Sequence, residues 1–322
     1  MRILTWHVHG AYLRSLLSVE HEWLIPVDRQ RSPHRSGLPT DGPPWPANAR
    51  EVPIEAVRDA DVDVVLFQHR LEWGQRADLL SPAQLAGPKV LVEHDPPFEG
   101  SATDTSHPAT EDATVTLVHV TNYNALMWDS GANPTSTIRH GVPDHGHRWT
   151  GALDRGLSVV NHLERRGRRL GADVFARAAA EVPLDLVGMG AEREIKPQEL
   201  PDFSAPYRFL FNPIRYTSLG MAVCEAMMLG MPVVALATTE HAVAVRDGVC
   251  GHTSNDVGEL VERMRELLAD RRRAAALGEA ARAHALERFS LERFAREWTD
   301  VLERAAAATP ASSRRASGSP SR

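Results

Sequence analysis

Between Tyr207 and Leu236 the sequence reads YRFLFNPIRYTSLGMAVCEAMMLGMPVVAL, and its residue types at this spacing suit an anionic ligand. The apolar run through Phe211 reads as a strand ended by Asn212-Pro213, and Ser218 as a cap for a helix starting at about Leu219. Gly230 then ends that helix before Pro232 opens the next strand. Such an order places a helix N-terminus at the carboxyl edge of a parallel sheet. There the amides of Leu219, Gly220 and Met221 lack helical acceptors and favour phosphate. Gly220 lets a ligand come close to the backbone. Glu225, further along the helix, offers a carboxylate to a ribose diol.

Other segments carry chemistry of their own. After an apolar run from Leu157 to Val160 come Arg165, Arg166, Arg168 and Arg169. Fixed cations there stabilise negative charge on a departing group, although an arginine cluster taken alone is a solvated face. Leu186 to Glu192, LVGMGAE, supplies Gly188 and Gly190 in a Gly-x-Gly turn, by itself a weak signal. Val90 to Pro97, VLVEHDPP, delivers His94 and Asp95 at the end of a strand. An imidazole so placed can donate to a hydroxyl or share its proton, or else cap its own loop. Near the start stands His7-Val-His9-Gly10. His7/His9 and His145/His147 motivate one alternative, a metal-dependent hydrolase, because that spacing sets both rings on one side of an extended chain.

The elements that must position these groups follow from hydrophobic period. Short apolar runs bounded by turn residues recur at Ile3 to Trp6, Val62 to Gln68, Val90 to Glu93, Val115 to Val120, Leu157 to Val160, Leu184 to Val187, Arg208 to Phe211 and Val233 to Ala235. They read as buried strands, and the helical stretches between them, such as Gly171 to Val182, predict two doubly wound α/β units. Gln30 to Pro46 and Pro96 to Asp112 read as long surface loops. Glu259 to Asp270, Arg273 to Phe289 and Leu291 to Ala308 read as amphipathic helices, and Thr309 to Arg322 as a disordered tail. The 322 residues suffice for two cores, 43% are hydrophobic, and a net charge of -6 argues against nucleic acid as a partner. Two cysteines, Cys224 and Cys250, imply no disulfide framework, and the start lacks a signal-peptide pattern. These features predict a cytoplasmic protein without a transmembrane segment, and they leave peripheral membrane contact open.

Taken together, these segments resemble the retaining glycosyltransferases of the GT-B fold, the group that includes sucrose and mannosyl transferases. The match runs from about Leu91 to Asp256, with the first ninety residues alike in general plan only. Glu225, Ala226, Met227, Gly230, Pro232, Val233 and Val234 fall in register with that family's donor signature, while Thr217 stands where its first acid would be. Asn161 and His162 occupy its Gly and Arg positions, and Arg166-Gly167 its Lys-Gly pair. His94-Asp95 matches a strand ending in His. His140 to Asp144, HGVPD, matches a loop closing the first domain, and Asp247, Gly248 and Gly251 match a later turn.

The resemblance implies two Rossmann-like domains facing across a cleft. Residues 1–148 would form the acceptor-side domain and 149–290 the nucleotide-sugar domain, with the helix at 291–308 packing back. It implies a nucleoside-diphosphate sugar as co-substrate, a hydroxyl-bearing acceptor, retained configuration, and neither metal nor cofactor. His94 and Arg166 would be catalytic. His162, Arg165, Gly188, Gly190, Thr217, Ser218, Leu219, Gly220, Met221 and Glu225 would hold the donor; His9, Gly10 and Asp95 would meet substrate. Because Thr217 replaces an acid, a catalytically weak sugar-nucleotide or glycan-binding protein is the second alternative.

Overall fold

The structure, a computed structural model, describes residues 1–39 and 43–308, so the tail expected from Thr309 onward lies outside the described residues. The chain folds as two compact units. One comprises Met1–Arg139 with the C-terminal segment from Glu292, the other His140–Leu291.

The first unit is built on seven strands: β1 (Arg2–Thr5), β2 (Glu22–Val27), β3 (Ala49–Pro53), β4 (Val64–Phe67), β5 (Lys89–Glu93), β6 (Thr116–His119) and β7 (Thr135–Thr137). They pair in the order β3-β2-β1-β4-β5-β6-β7, and every pairing is parallel. Connections run through α1 (Gly10–Leu16), α2 (Arg70–Gly74), α3 (Arg76–Leu79), α4 (Pro82–Ala86) and α5 (Asn122–Met127). The strands read as apolar runs because they are covered. Leu4, Val65, Phe67, Leu91 and Leu117 share one core with Trp6, whose ring stacks on Phe67 at 5.4 Å.

The second unit has five parallel strands: β8 (Leu153–Val159), β9 (Leu184–Val187), β10 (Tyr207–Asn212), β11 (Val233–Leu236) and β12 (Gly251–Ser254), in the order β12-β11-β10-β8-β9. Around them lie α6 (Leu163–Leu170), α7 (Ala172–Ala179), α8 (Leu200–Ser204), α9 (Met221–Leu229), α10 (His241–Ala244), α11 (Val257–Ala269) and α12 (Arg271–Arg288). The last helix, α13 (Leu291–Ala308), groups with the first unit from Glu292 onward, where Phe294 meets Tyr12 edge-on at 5.6 Å.

Both sheets contain a point where strand order reverses, between β1 and β4 in one and between β8 and β10 in the other. In open α/β sheets ligands bind beyond the carboxyl ends of the strands at such a point. Many of the residues singled out by their chemistry follow the strands at these points, since β1 leads into His7–Gly10, β8 into Asn161–Arg169, and β10 into Pro213–Gly220; His94 and Asp95 follow β5, and Gly188 and Gly190 follow β9, each one strand away.

Candidate functional site

In the second unit the exit of β8 is locked to the turn after β9. His162 adopts the left-handed conformation (φ 54°, ψ 40°) ahead of α6, and its amide donates to the Met189 carbonyl at 2.6 Å. Asn161 Oδ1 accepts the Met189 amide at 2.9 Å. So close an approach explains both glycines. A Cβ on Gly188 would lie 2.6 Å from the Val160 carbonyl oxygen, and one on Gly190 2.7 Å from His162 Nδ1. The Gly190 amide donates to Glu194 Oε1 at 2.7 Å. His162, Gly188 and Gly190 therefore form one surface.

The arginines divide by partner. Helix α6 breaks at Gly167 (φ 56°, ψ −135°), a conformation that strains any side chain. Arg168 pairs with Asp173 at 2.7 Å, and Arg215 binds the same carboxylate at 2.5 and 2.6 Å. The Arg215 hydrogen bonds, with charge from Arg168, hold Asp173 down at about 2. The charge of Arg168 is thus already compensated. Arg165 is exposed and Arg166 half-buried. The Arg169 carbonyl accepts the amides of Arg215 and Tyr216, each at 3.1 Å, and Gly171 presses against the Pro213 carbonyl. The arginine-bearing segment is in this way laced to the connection that leads into α9.

That connection is held residue by residue. Asn212 Oδ1 accepts the Ile214 amide, Thr238 Oγ1 donates to the Ile214 carbonyl at 2.9 Å, Thr239 Oγ1 to the Ser218 carbonyl at 3.1 Å, and His140 Nε2 to the Leu219 carbonyl at 2.8 Å. These tethers correct one sequence expectation. The helix starts at Met221, not Leu219; Gly220 is its N-cap (φ −66°, ψ 131°), with no side-chain cap. Ser218 and Leu219 are buried in the loop with their carbonyls already engaged, so the helical bonds begin later. Gly220 needs its small side chain neither for its φ nor for crowding, since a Cβ would meet nothing nearer than Asn212 Nδ2 at 3.7 Å. Gly230 does end the helix, at φ 86°.

The first turn of α9 holds no acidic residue, so the amides of Met221 and Ala222 and the positive helix end stand uncompensated. Glu225 has no hydrogen-bond partner among the described residues, and burial pushes its carboxyl up to about 7. Thr217 is half-buried, beside these groups in the chain.

In the first unit the β1 and β4 exits are tied by Gln68, whose Nε2 donates to the Trp6 carbonyl at 2.7 Å and to Thr5 Oγ1 at 3.2 Å. His9 is the N-cap of α1 and Gly10 its first residue. The His94 ring, carried out by β5, stands edge-on to His9 at 4.8 Å and to Tyr12 at 4.6 Å. Asp95 is positioned through its backbone: its amide donates to Glu93 Oε1 at 3.0 Å and its carbonyl accepts from Trp128 Nε1 at 2.9 Å. His7 does not join this group as a ligand. Its Nδ1 lies 3.0 Å from the Gly37 carbonyl and 3.1 Å from Ser36 Oγ, and burial lowers its pKa. Among the described residues neither His7/His9 nor His145/His147 gains a third ligand; the one trio that converges is His34, His69 and Glu72. The hydrolase built on His7/His9 thus loses its geometric basis.

Sequence reasoning gave Asn161 only a motif position and overlooked Thr238, Thr239 and Glu194 as positioning groups. Their signal was available in part, since Asn161 follows a strand, and Thr238-Thr239 follows β11 at the same sheet edge.

The two parallel sheets and their strand orders give the GT-B fold, two doubly wound α/β units. Residues 195–284, which include the β10–α9 connection and Glu225, match the family model described as glycosyl transferases group 1. Among solved structures, sucrose-phosphate synthase from Thermosynechococcus elongatus is similar over 96% of this chain and 100% of that one, at 15% identity and a TM-score of 0.70. HepE of Anabaena, solved with UDP and glucose, is similar over 94% and 99%, at 17% identity and 0.70. TarM of S. aureus, solved with Fondaparinux, alpha-GlcNAc-glycerol and UDP, is similar over 77% of this chain at 14% identity and 0.63, and this chain spans 58% of it. No curated protein sequence matches. No helix among the described residues is long and apolar enough to cross a membrane.

Proposed function

We propose that this protein transfers a sugar from a nucleoside-diphosphate sugar to a hydroxyl acceptor with retained anomeric configuration. The bond from the anomeric carbon to the diphosphate breaks, the acceptor oxygen bonds to that carbon, and the acceptor proton leaves with the diphosphate. One observation carries the reading: an uncompensated helix N-terminus at a strand-order reversal, laced through Arg169 to the arginines of α6. In it, the amides from Leu219 to Met221 with Arg165 and Arg166 receive the diphosphate, Glu225 the ribose diol, and the His162–Gly190 surface the base. Arg166 supplies preorganised charge to the leaving oxygen without a metal. His94, Asp95, His9 and Gly10 serve the sugar and acceptor.

Thermal unfolding with nucleotides is the direct test. Uridine diphosphate comes first because HepE was solved with UDP. At a hundredfold excess over Kd it should add about 2.7 kcal/mol of stability. Failure of uridine, guanosine and adenosine diphosphates alike to raise Tm would defeat the proposal. Thr217 supports a second reading, a binding protein that does not turn donor over. Nucleotide protection without hydrolysis or transfer from any donor would favour it.

A further inference from the structure

The connection after β2 contains His34 at φ 65°, a left-handed conformation uncommon outside glycine. Its Nδ1 lies 2.5 Å from Oε1 of Glu72 on α2. The Glu72 side chain is only 3% exposed. Its second oxygen, Oε2, has no hydrogen-bond partner among the described residues, and no lysine or arginine pairs with it there. A buried carboxylate served by a single imidazole lacks the donors that its burial requires. Glu72 lines a cavity of about 180 Å³ together with Ser32, His34, Arg35 and Gln75. His69, one residue ahead of α2, completes the group, its ring centroid 4.9 Å from that of His34. One ligand atom from each of the three lies within 4.8 Å of the others.

We propose that His34, His69 and Glu72 form a zinc site that clasps the β2–β3 connection to α2. Two imidazoles and a carboxylate are a donor set that zinc accepts tetrahedrally, with water in the fourth position. The metal takes the place of the hydrogen bond between His34 and Glu72, and its charge satisfies the buried carboxylate. His69 Nδ1 accepts the Leu71 amide at 3.0 Å, so metal on the other nitrogen shifts the ring proton to Nδ1 and exchanges that cap for a metal bond. The clasp is independent of the donor site and acts on the fold of the first unit.

The test is zinc titration of chelator-stripped full-length protein against a chromophoric competitor, with Tm followed in parallel. One zinc per chain and a raised Tm are expected. His69→Asn keeps a residue able to cap α2 and leaves the His34–Glu72 contact in place. It should weaken zinc at least tenfold and melt like the stripped parent, as should Glu72→Gln if it folds. No stoichiometric zinc binding by the parent, or equal affinity in parent and His69→Asn, would overturn the proposal.

Discussion

His140 Nε2 donates to the carbonyl oxygen of Leu219 at 2.8 Å, joining the first residue of the second unit to the loop that sets the start of α9. The imidazole is buried, at 4% exposure, so its loss leaves a carbonyl without a donor. His140→Ala should cost about 1–3 kcal/mol in urea unfolding. It should also raise KM for the donor more than it lowers kcat, because it loosens ground-state binding. An unchanged KM would detach this bond from the site.

Glu225 gives a pH prediction. Burial favours its protonated form in the folded protein, so this group's contribution to stability is full below its ordinary value of 4.5 and is lost as pH rises through about 7. A ribose diol donating to the carboxylate favours the ionised form. Nucleotide affinity should therefore rise with pH toward 7, with proton release on binding. Calorimetry in buffers of different ionisation enthalpy reads that proton, and Glu225→Gln should abolish the release while weakening binding.

Two glycines at similar φ should respond differently to alanine. At Gly171 (φ 80°) a Cβ would stand 1.9 Å from the Pro213 carbonyl oxygen, whereas at Gly167 (φ 56°) it meets nothing within 4 Å. Gly167→Ala should cost only the backbone strain of its conformation at ψ −135°, about 1–3 kcal/mol. Gly171→Ala must also displace the chain between β10 and α9 and should cost more, with weaker nucleotide binding. Equal melting temperatures for the two variants would contradict this account.

Asp173 ties Arg168 and Arg215 together and is held well below the usual carboxylate range, at about 2. A depressed carboxylate stabilises above its unfolded value of 3.8 and loses that contribution as pH falls through about 2. The pair is surface-exposed, so the amount stays below about 1 kcal/mol. Asp173→Asn should flatten acid unfolding between those values, and Arg215→Ala should reproduce the effect.

The two sheets were legible where strands are covered on both faces and read as apolar runs, as in Val64–Phe67 and Val233–Leu236. Strand β2 escaped notice because Pro26 interrupts EWLIPV, and proline argues against a strand interior. The reason it is tolerated lies in register. Trp23 donates toward β3, so by alternation Leu24 and Pro26 face β1, whose pairing ends at Leu24. Strand β12, GHTS, was hidden because it is a polar edge strand paired only with β11. The turn between β10 and α9 was legible as a strand, loop and helix, but its first helical residue was not. That residue depends on His140 and Thr239, both distant in sequence.

The return of the final helix to Tyr12 bears on how the molecule is made. A ribosome releases the second unit as one continuous stretch, free to complete its core while the first still lacks Phe294 and Trp298. The amino-terminal half, though synthesised earlier, is therefore finished last, and a chain stopped after Ser290 leaves the aromatic face around Tyr12 open to water and to chaperones.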